Sequence, residues 1–519
     1  MLRKMILIIF SVMMTLFLLP CKMQVHAQKV EEITVTLSGV ESVGKTIQEA
    51  LDKALEDQSG ETQYVIILPK GEYRLDKLLK VFSYTTIKME GCTLVRDMDK
   101  SMLRIGYEED SYNGYEGMRD ITIEGGCFDG NGKNGKVNIS MIRMGHGSNI
   151  TFHNVVFQNV YNTHHVELAA CENVLFDGCV FKDFYCKSNM ANSGNNEALQ
   201  FDVLHNSDHF PKYPGFDDTP CRNVTVTNCQ FNNLQRGLGV HSAVAGSYFT
   251  NMKFVNNEFT NIKGYAIIAS NFQSSEISGN SIKNCGAGIL FRSMIQGYSN
   301  FYTPLSKKFT IMNNADSLIA NNTITITDQK YTKATAYGIS LYGENLKSKQ
   351  KDVPKGNYTL KGVTVKNNSI TMNNSGYGIW LQGTDNSSIS NNKVTMNIKS
   401  SVSGKGNSDC IRLVKSKNIK IHKNTLNQKK NNKKTKAACG IVVTTNSTAT
   451  ITNNKISNSP KDGIFVISKC KATIKNNTIN KTGRYGLNAC EKSTIISRKN
   501  KMTKCKKRKT NTSADAKIK

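Results

Sequence analysis

The sequence predicts an all-β chain: a right-handed parallel β-helix of roughly 11–13 coils, covered at its N-terminal end by one capping helix. Three observations carry this. A phrase of two short strands around an Asn-rich polar corner recurs through most of the 519 residues, from NITFHNVVFQNV at Asn149 to KATIKNNTINKT near the end. A second phrase, Gly-apolar-x-apolar, follows it as GAGILF (286–291), YGISLY (337–342), YGIWLQ (377–382), CGIVVT (439–444), DGIFVI (462–467) and YGLNAC (485–490). Within each short strand apolar residues alternate with polar ones, and where loops are short the period is about 23 residues, a solenoid spacing.

Alternation buries one strand face and leaves the other wet, and no single repeat can cover its own inner face. Stacked coils solve this by forming a continuous core and pairing each strand in parallel with its neighbours. Asparagine suits the corners because it tolerates left-handed backbone and hydrogen-bonds locally. The many N-x-S/T matches follow from that corner chemistry. A leucine-rich repeat would need a Leu scaffold and a helical segment in each repeat, and neither is present.

Taken in order, residues 1–27 read as a signal peptide. Arg3 and Lys4 precede the apolar run Met5 to Leu19, and the small-residue site Val25-His26-Ala27 falls just before Gln28. No later apolar run is long enough to span a membrane, which places the mature chain outside the cell. Residues 28–110 form the cap and first coils: Ile47, Leu51 and Leu55 share a helical face, and Val65–Leu68 reads as a strand. The β-helix proper occupies 111–510, and 511–519 reads as a basic, polar tail. The cysteines stand singly without metal-ligand spacing; Cys179 and Cys229 fall at equivalent repeat positions, so free buried thiols are expected.

The run TIQEALDKAL followed by VIILPKGEY resembles the N-terminal cap of the pectate-lyase superfamily of right-handed β-helices. The resemblance covers cap and coils. It implies the fold, and extracellular polysaccharide chemistry as the expected activity.

Aligning coils by their closing phrase gives a surface map. Leu199 and Phe201 point inward, leaving Gln200 and Asp202 outside, and the same column continues through His241, Ser270 and Arg292. One coil earlier, Val166 and Leu168 point in, and His165 and Glu167 point out. Adjacent coils lie ~4.8 Å apart, so these groups are neighbours. Insertions at Lys187–Asn196 and Val203–Pro220 flank the Asp202 strand. The second brings His205, Asp208, His209, Asp217 and Asp218 together with Phe210, Tyr213 and Phe216. Trp380, the only tryptophan, projects from the same column further on as a sugar-stacking ring.

Paired carboxylates suit glycoside hydrolysis, one acid protonating the leaving oxygen while another activates water or attacks carbon. The arrangement is similar to polygalacturonase-type glycosidases, whose Asn-Thr-Asp, Asp-Asp, Gly-His-Gly and Arg-x-Lys motifs correspond here to Gln200-Phe201-Asp202, Asp217-Asp218, Val240-His241-Ser242 and Arg292-Ser293-Met294. This chain lacks the Asn-Thr before Asp202, the glycines around His241 and the Lys after Arg292. The resemblance implies Asp202, Asp217, Asp218 and His241 as catalytic groups with Gln200 and Arg292 binding substrate, and the surface map adds Glu167, His165 and Trp380 as substrate-binding groups. No metal site is read; calcium belongs only to the second reading, a polysaccharide lyase or epimerase.

A third reading is a non-catalytic wall-binding or adhesive surface protein. The net charge of +28 supports it, because Ser401–Lys519 alone holds 29 Lys/Arg against four acids. Outside a cell, such a surface meets anionic wall polymers rather than nucleic acid.

Overall fold

The computed structural model describes residues 28–187, 196–208, 210–240, 242–293, 301–311, 314–327, 336–346, 356–373, 376–397, 408–428 and 438–519. The expected signal peptide lies outside these residues. Among them, no helix is long and apolar enough to cross a membrane.

The chain winds as a right-handed parallel β-helix with three long sheets, of 19, 16 and 15 strands. The first begins with Lys29–Thr34 and Thr62–Ile67, the second with Leu79–Val81, the third with Gly71–Leu75. The third sheet contributes one strand per coil as far as Lys501–Cys505, giving 15 coils rather than the 11–13 read from the repeat. Coils without the Asn-rich corner explain the difference. Ahead of Cys127–Asp129, for example, the corner is Gly125-Gly126, both at positive φ (66° and 69°). Regular strand also continues past residue 510, because Lys517–Ile518 pairs with Thr494–Arg498 in the first sheet.

Helix Val43–Glu56 starts at Ser42, whose Oγ accepts the Lys45 N–H at 3.2 Å. It buries Ile47, Ala50, Leu51 and Ala54, while Leu55 remains half-buried. Along the interior, Phe128, Phe157, Phe181, Phe231 and Phe259 stack with centroids 4.7–6.0 Å apart. Large rings on successive coils give the core its register as well as its buried area.

One corner carries a buried amide ladder. From Asn257 through Asn280, Asn322, Asn368, Asn392, Asn424, Asn454, Asn477 and Asn500, each backbone N–H and Nδ2 donates to the next Oδ1 at 2.9–3.1 Å. The recurrent NN of the sequence is this corner. Its first residue adopts left-handed backbone (Asn256, φ 58°; Asn453, φ 58°) and its second enters the ladder. Every described cysteine is free and most are buried, with Cys179 and Cys229 on adjacent coils as expected.

Candidate functional site

A groove of about 530 Å³ opens over the second sheet, centred one to two coils before the Asp202 strand. In-register pairing puts Arg104, Arg143, Glu167 and Gln200 in one outward column. The insertion after Leu204 forms one wall. Its Tyr213 hydroxyl donates to the Arg143 carbonyl at 2.6 Å, and the Arg104 guanidinium lies 4.2 Å from the Tyr213 ring centroid. Lys212 ties the same loop to Glu108 at 2.8 Å. The loop aromatics therefore differ from the sugar-stacking surface expected of them. Phe210 and Tyr213 are buried against arginines, because a loop folded onto a charged strand face needs its own small core.

Glu167 faces the groove floor and is nearly inaccessible. Its Oε2 accepts from Arg143 Nη2 at 2.7 Å, Arg143 Nε at 2.8 Å and Ser140 Oγ at 2.8 Å. Burial pushes its carboxyl up, but Arg143, His164 and Ser140 outweigh that and hold it below the ordinary glutamate range. It stays ionised.

Asp202 does point away from the core, but it is not open to solvent: it is 1% exposed, with Gln200 Nε2 donating to one oxygen and Ser242 Oγ to the other. Gln200 is likewise buried, although it still lines the groove. Asp217 and Asp218 are turn-builders. Asp217 accepts from Gly114 N at 2.6 Å and Thr219 N at 3.0 Å. Asp218, at φ 62°, lies 2.5 Å from His205 Nδ1 and accepts the Leu305 N–H at 2.5 Å. Arg292 joins Ser270 as aligned, its Nε donating to Ser270 Oγ at 2.7 Å. His241 and His209 lie outside the described residues.

Two placements differ from the sequence reading. His165 turns into the core instead of outward, because it sits at the bend before the strand, where the alternation has not begun. It is fully buried, its Nε2 is 3.0 Å from the Lys182 carbonyl, and burial pushes it down to about 4. Trp380 pairs with Ser340 and Arg412, so it belongs to the Glu167–Gln200 column and not to that of Arg292, which pairs with Tyr342. The displacement is two residues along the strand. Trp380 packs against Tyr337 and Tyr342, with centroids 5.2 and 5.8 Å away.

His165 makes a pH prediction. Its folded value lies below the unfolded one, so its contribution is intact above about pH 6.5 and is lost as pH falls toward 4, amounting to about 3 kcal/mol. Urea midpoints between pH 7 and pH 4 should therefore fall more steeply for wild type than for His165→Gln, which keeps a donor for Lys182. Parallel curves would refute the assignment.

Arg104, Arg143, Ser140 and His164 were not read from the sequence. The signal was available, because Ile142-Arg143-Met144-Gly145 alternates like its neighbours and extends the mapped column one coil toward the N-terminus.

The fold makes this chain a right-handed parallel β-helix protein, and the family model described as right handed beta helix region matches residues 116–282 and 439–518. Over 338 residues, 59% of the chain, it is 24% identical to plasmin and fibronectin-binding protein A of Streptococcus pneumoniae (strain ATCC BAA-255 / R6). The match spans 46% of that protein, so the chain covers about half the length of this curated relative. Among solved structures, PfbA, a surface adhesin of Streptococcus pneumoniae, is similar with TM-score 0.49 and 16% identity, over 92% of this chain and 93% of that one. The Azotobacter vinelandii mannuronan C-5 epimerase AlgE4 A-module has TM-score 0.37 and 13% identity, over 93% and 98%.

Proposed function

We propose that this chain is a secreted or surface-attached binding protein that holds an extracellular ligand along its second sheet without cleaving it. One observation carries the reading: the carboxylates of Glu167, Asp202, Asp217 and Asp218 are each already committed to structural partners. Two-carboxylate hydrolysis needs one carboxyl kept protonated near neutral pH and a second available to water or carbon. Glu167 is held on the ionised side by Arg143, Asp202 is closed between Gln200 and Ser242, and Asp217 and Asp218 fasten loops. Buried acid–arginine pairs recur along the helix, at Glu197–Arg236 and, far from the groove, at Asp409–Arg412 and Asp462–Arg484. Such pairs belong to how this helix is built. The relative's name, which records binding to plasmin and fibronectin, supports the same class.

The test is a panel of acidic and neutral polysaccharides with fibronectin and plasmin, scored for binding, reducing-end release and unsaturated-uronate absorbance. Binding without new reducing ends or chromophore is expected. Reducing ends that disappear in Asp202→Asn would replace this reading with the glycosidase one, and a rising chromophore would replace it with the lyase one.

A further inference from the structure

Part of the positive charge of the last coils lines one ridge: of the 29 Lys/Arg in Ser401–Lys519, Lys423, Lys455, Lys475, Arg498, Lys499 and Lys501 stand on it. The corner between the first and third sheets is two residues long in six successive coils, from Lys366–Ser369 to Arg498–Lys501. Three columns of outward positions run along this ridge. The last outward position of the first sheet carries Lys366, Ser390, His422, Thr452, Lys475 and Arg498 in register. The left-handed corner carries Asn367, Asn391, Lys423, Asn453, Asn476 and Lys499. The first outward position of the third sheet carries Ser369, Lys393, Thr425, Lys455, Thr478 and Lys501. These positions hold eight cations and no carboxylate. In earlier coils the same columns contain Glu124, Asp177 and Glu258, so mixed charge gives way to one sign.

We propose that this ridge is a binding rail for a linear acidic polysaccharide lying along the helix axis. Coils recur every ~4.8 Å, so the rail presents one cation on each of its first five coils and three on the sixth, spread over three adjacent columns. Directly beneath it runs the buried ladder Asn368–Asn392–Asn424–Asn454–Asn477–Asn500, which fixes the spacing of the charges. Every other described corner of this column from Asn154 onward is Asn or Gly, residues suited to positive φ, whereas Lys423 and Lys499 hold φ 56° and 52° despite their Cβ. Ser369, Thr425 and Thr478, exposed between the lysines, offer hydroxyls to a sugar chain. Single-stranded nucleic acid sites add aromatic platforms for base stacking, and these columns contain no Phe, Tyr or Trp. The rail is remote from the groove, so it stands whether or not the groove is catalytic.

The experiment measures binding of the full chain to polygalacturonate, neutral dextran and single-stranded DNA at several salt concentrations. The ridge variant is Lys455→Ser/Lys475→Ser/Lys499→Asn/Lys501→Ser. The control removes equal charge from left-handed corners elsewhere, Lys415→Asn/Lys469→Asn/Lys481→Asn/Lys492→Asn. The ridge variant should bind polygalacturonate about 30-fold more weakly at low salt with a shallower salt dependence, and the control less than about threefold more weakly. Lys499→Asn/Lys501→Ser alone, with Asn restored at the corner, should lose about fivefold. Equal losses in ridge and control variants, binding to dextran as tight as to polyuronate, or tighter ridge-dependent binding to DNA would each overturn the proposal.

Discussion

Replacing Arg143 with Met should destabilise the protein by about 3–5 kcal/mol near neutral pH, and the deficit should shrink as the solution is acidified. Methionine retains much of the packing against Phe210, so the loss isolates the charge. In the native protein the guanidinium donates to Glu167 through Nε and Nη2, at 2.8 and 2.7 Å, with both side chains largely out of water. The folded value of Glu167 lies below its unfolded one. Its contribution is therefore present above the ordinary glutamate range and disappears as pH falls through the folded value. Without Arg143, only His164 and Ser140 oppose burial, and the folded value should rise above the unfolded one. The variant then takes up a proton on folding and recovers stability as pH drops from neutral toward about 4.3. Urea midpoints at pH 7 and pH 5 test the sign. A deficit equal at both, or below about 1 kcal/mol, would show that the pair does little for the fold.

That pair also marks how far the sequence can be read. The fold was legible because β-helix stacking repeats one solution many times: inward Leu199 and Phe201, the NN corners and the capping helix all announced their places. Alternation states which side of a strand a residue occupies, but not what lies above it. Gln200 and Asp202 do leave the core, yet neighbouring side chains close around them: Gln200 and Ser242 donate to the two Asp202 oxygens, and Gln200 is buried at the edge of the groove. Asp217 and Asp218 looked like chemistry because Asp-Asp is equally suited to capturing backbone N–H groups, and only the position of Gly114, 103 residues earlier, shows which applies. His165 failed for a local reason, lying at a bend where period-2 reasoning does not hold. The C-terminal charge was visible as composition, but that one ridge carries cations and no carboxylate required the register of six coils.

Asn424→Leu should cost about 3–5 kcal/mol, with the damage confined to neighbouring coils. The side chain serves both adjacent rungs. Its Oδ1 accepts the backbone N–H of Asn392 at 2.9 Å and Asn392 Nδ2 at 3.0 Å, while its Nδ2 donates to the Ile389 carbonyl and Asn454 Oδ1, both at 2.9 Å. Leucine has the same count and branching of side-chain heavy atoms and keeps the backbone donor to Asn454, so no cavity is created, and its greater bulk adds some strain. What remains is a buried N–H at Asn392 and a buried carbonyl at Ile389 that have lost these partners, at about 1–3 kcal/mol each. The ladder runs through polarised amides, so adjoining bonds weaken as well. In a solenoid each coil touches only its neighbours, and the loss has no direct route to distant rungs. Native-state hydrogen exchange should show the Asn392 amide losing most of its protection and Asn454 losing less, while Asn257, five rungs of the ladder away, stays near wild type. Uniform loss along the chain would mean that the helix unfolds as one unit. Unchanged protection at Asn392 would mean that the amide ladder does not hold the corner together.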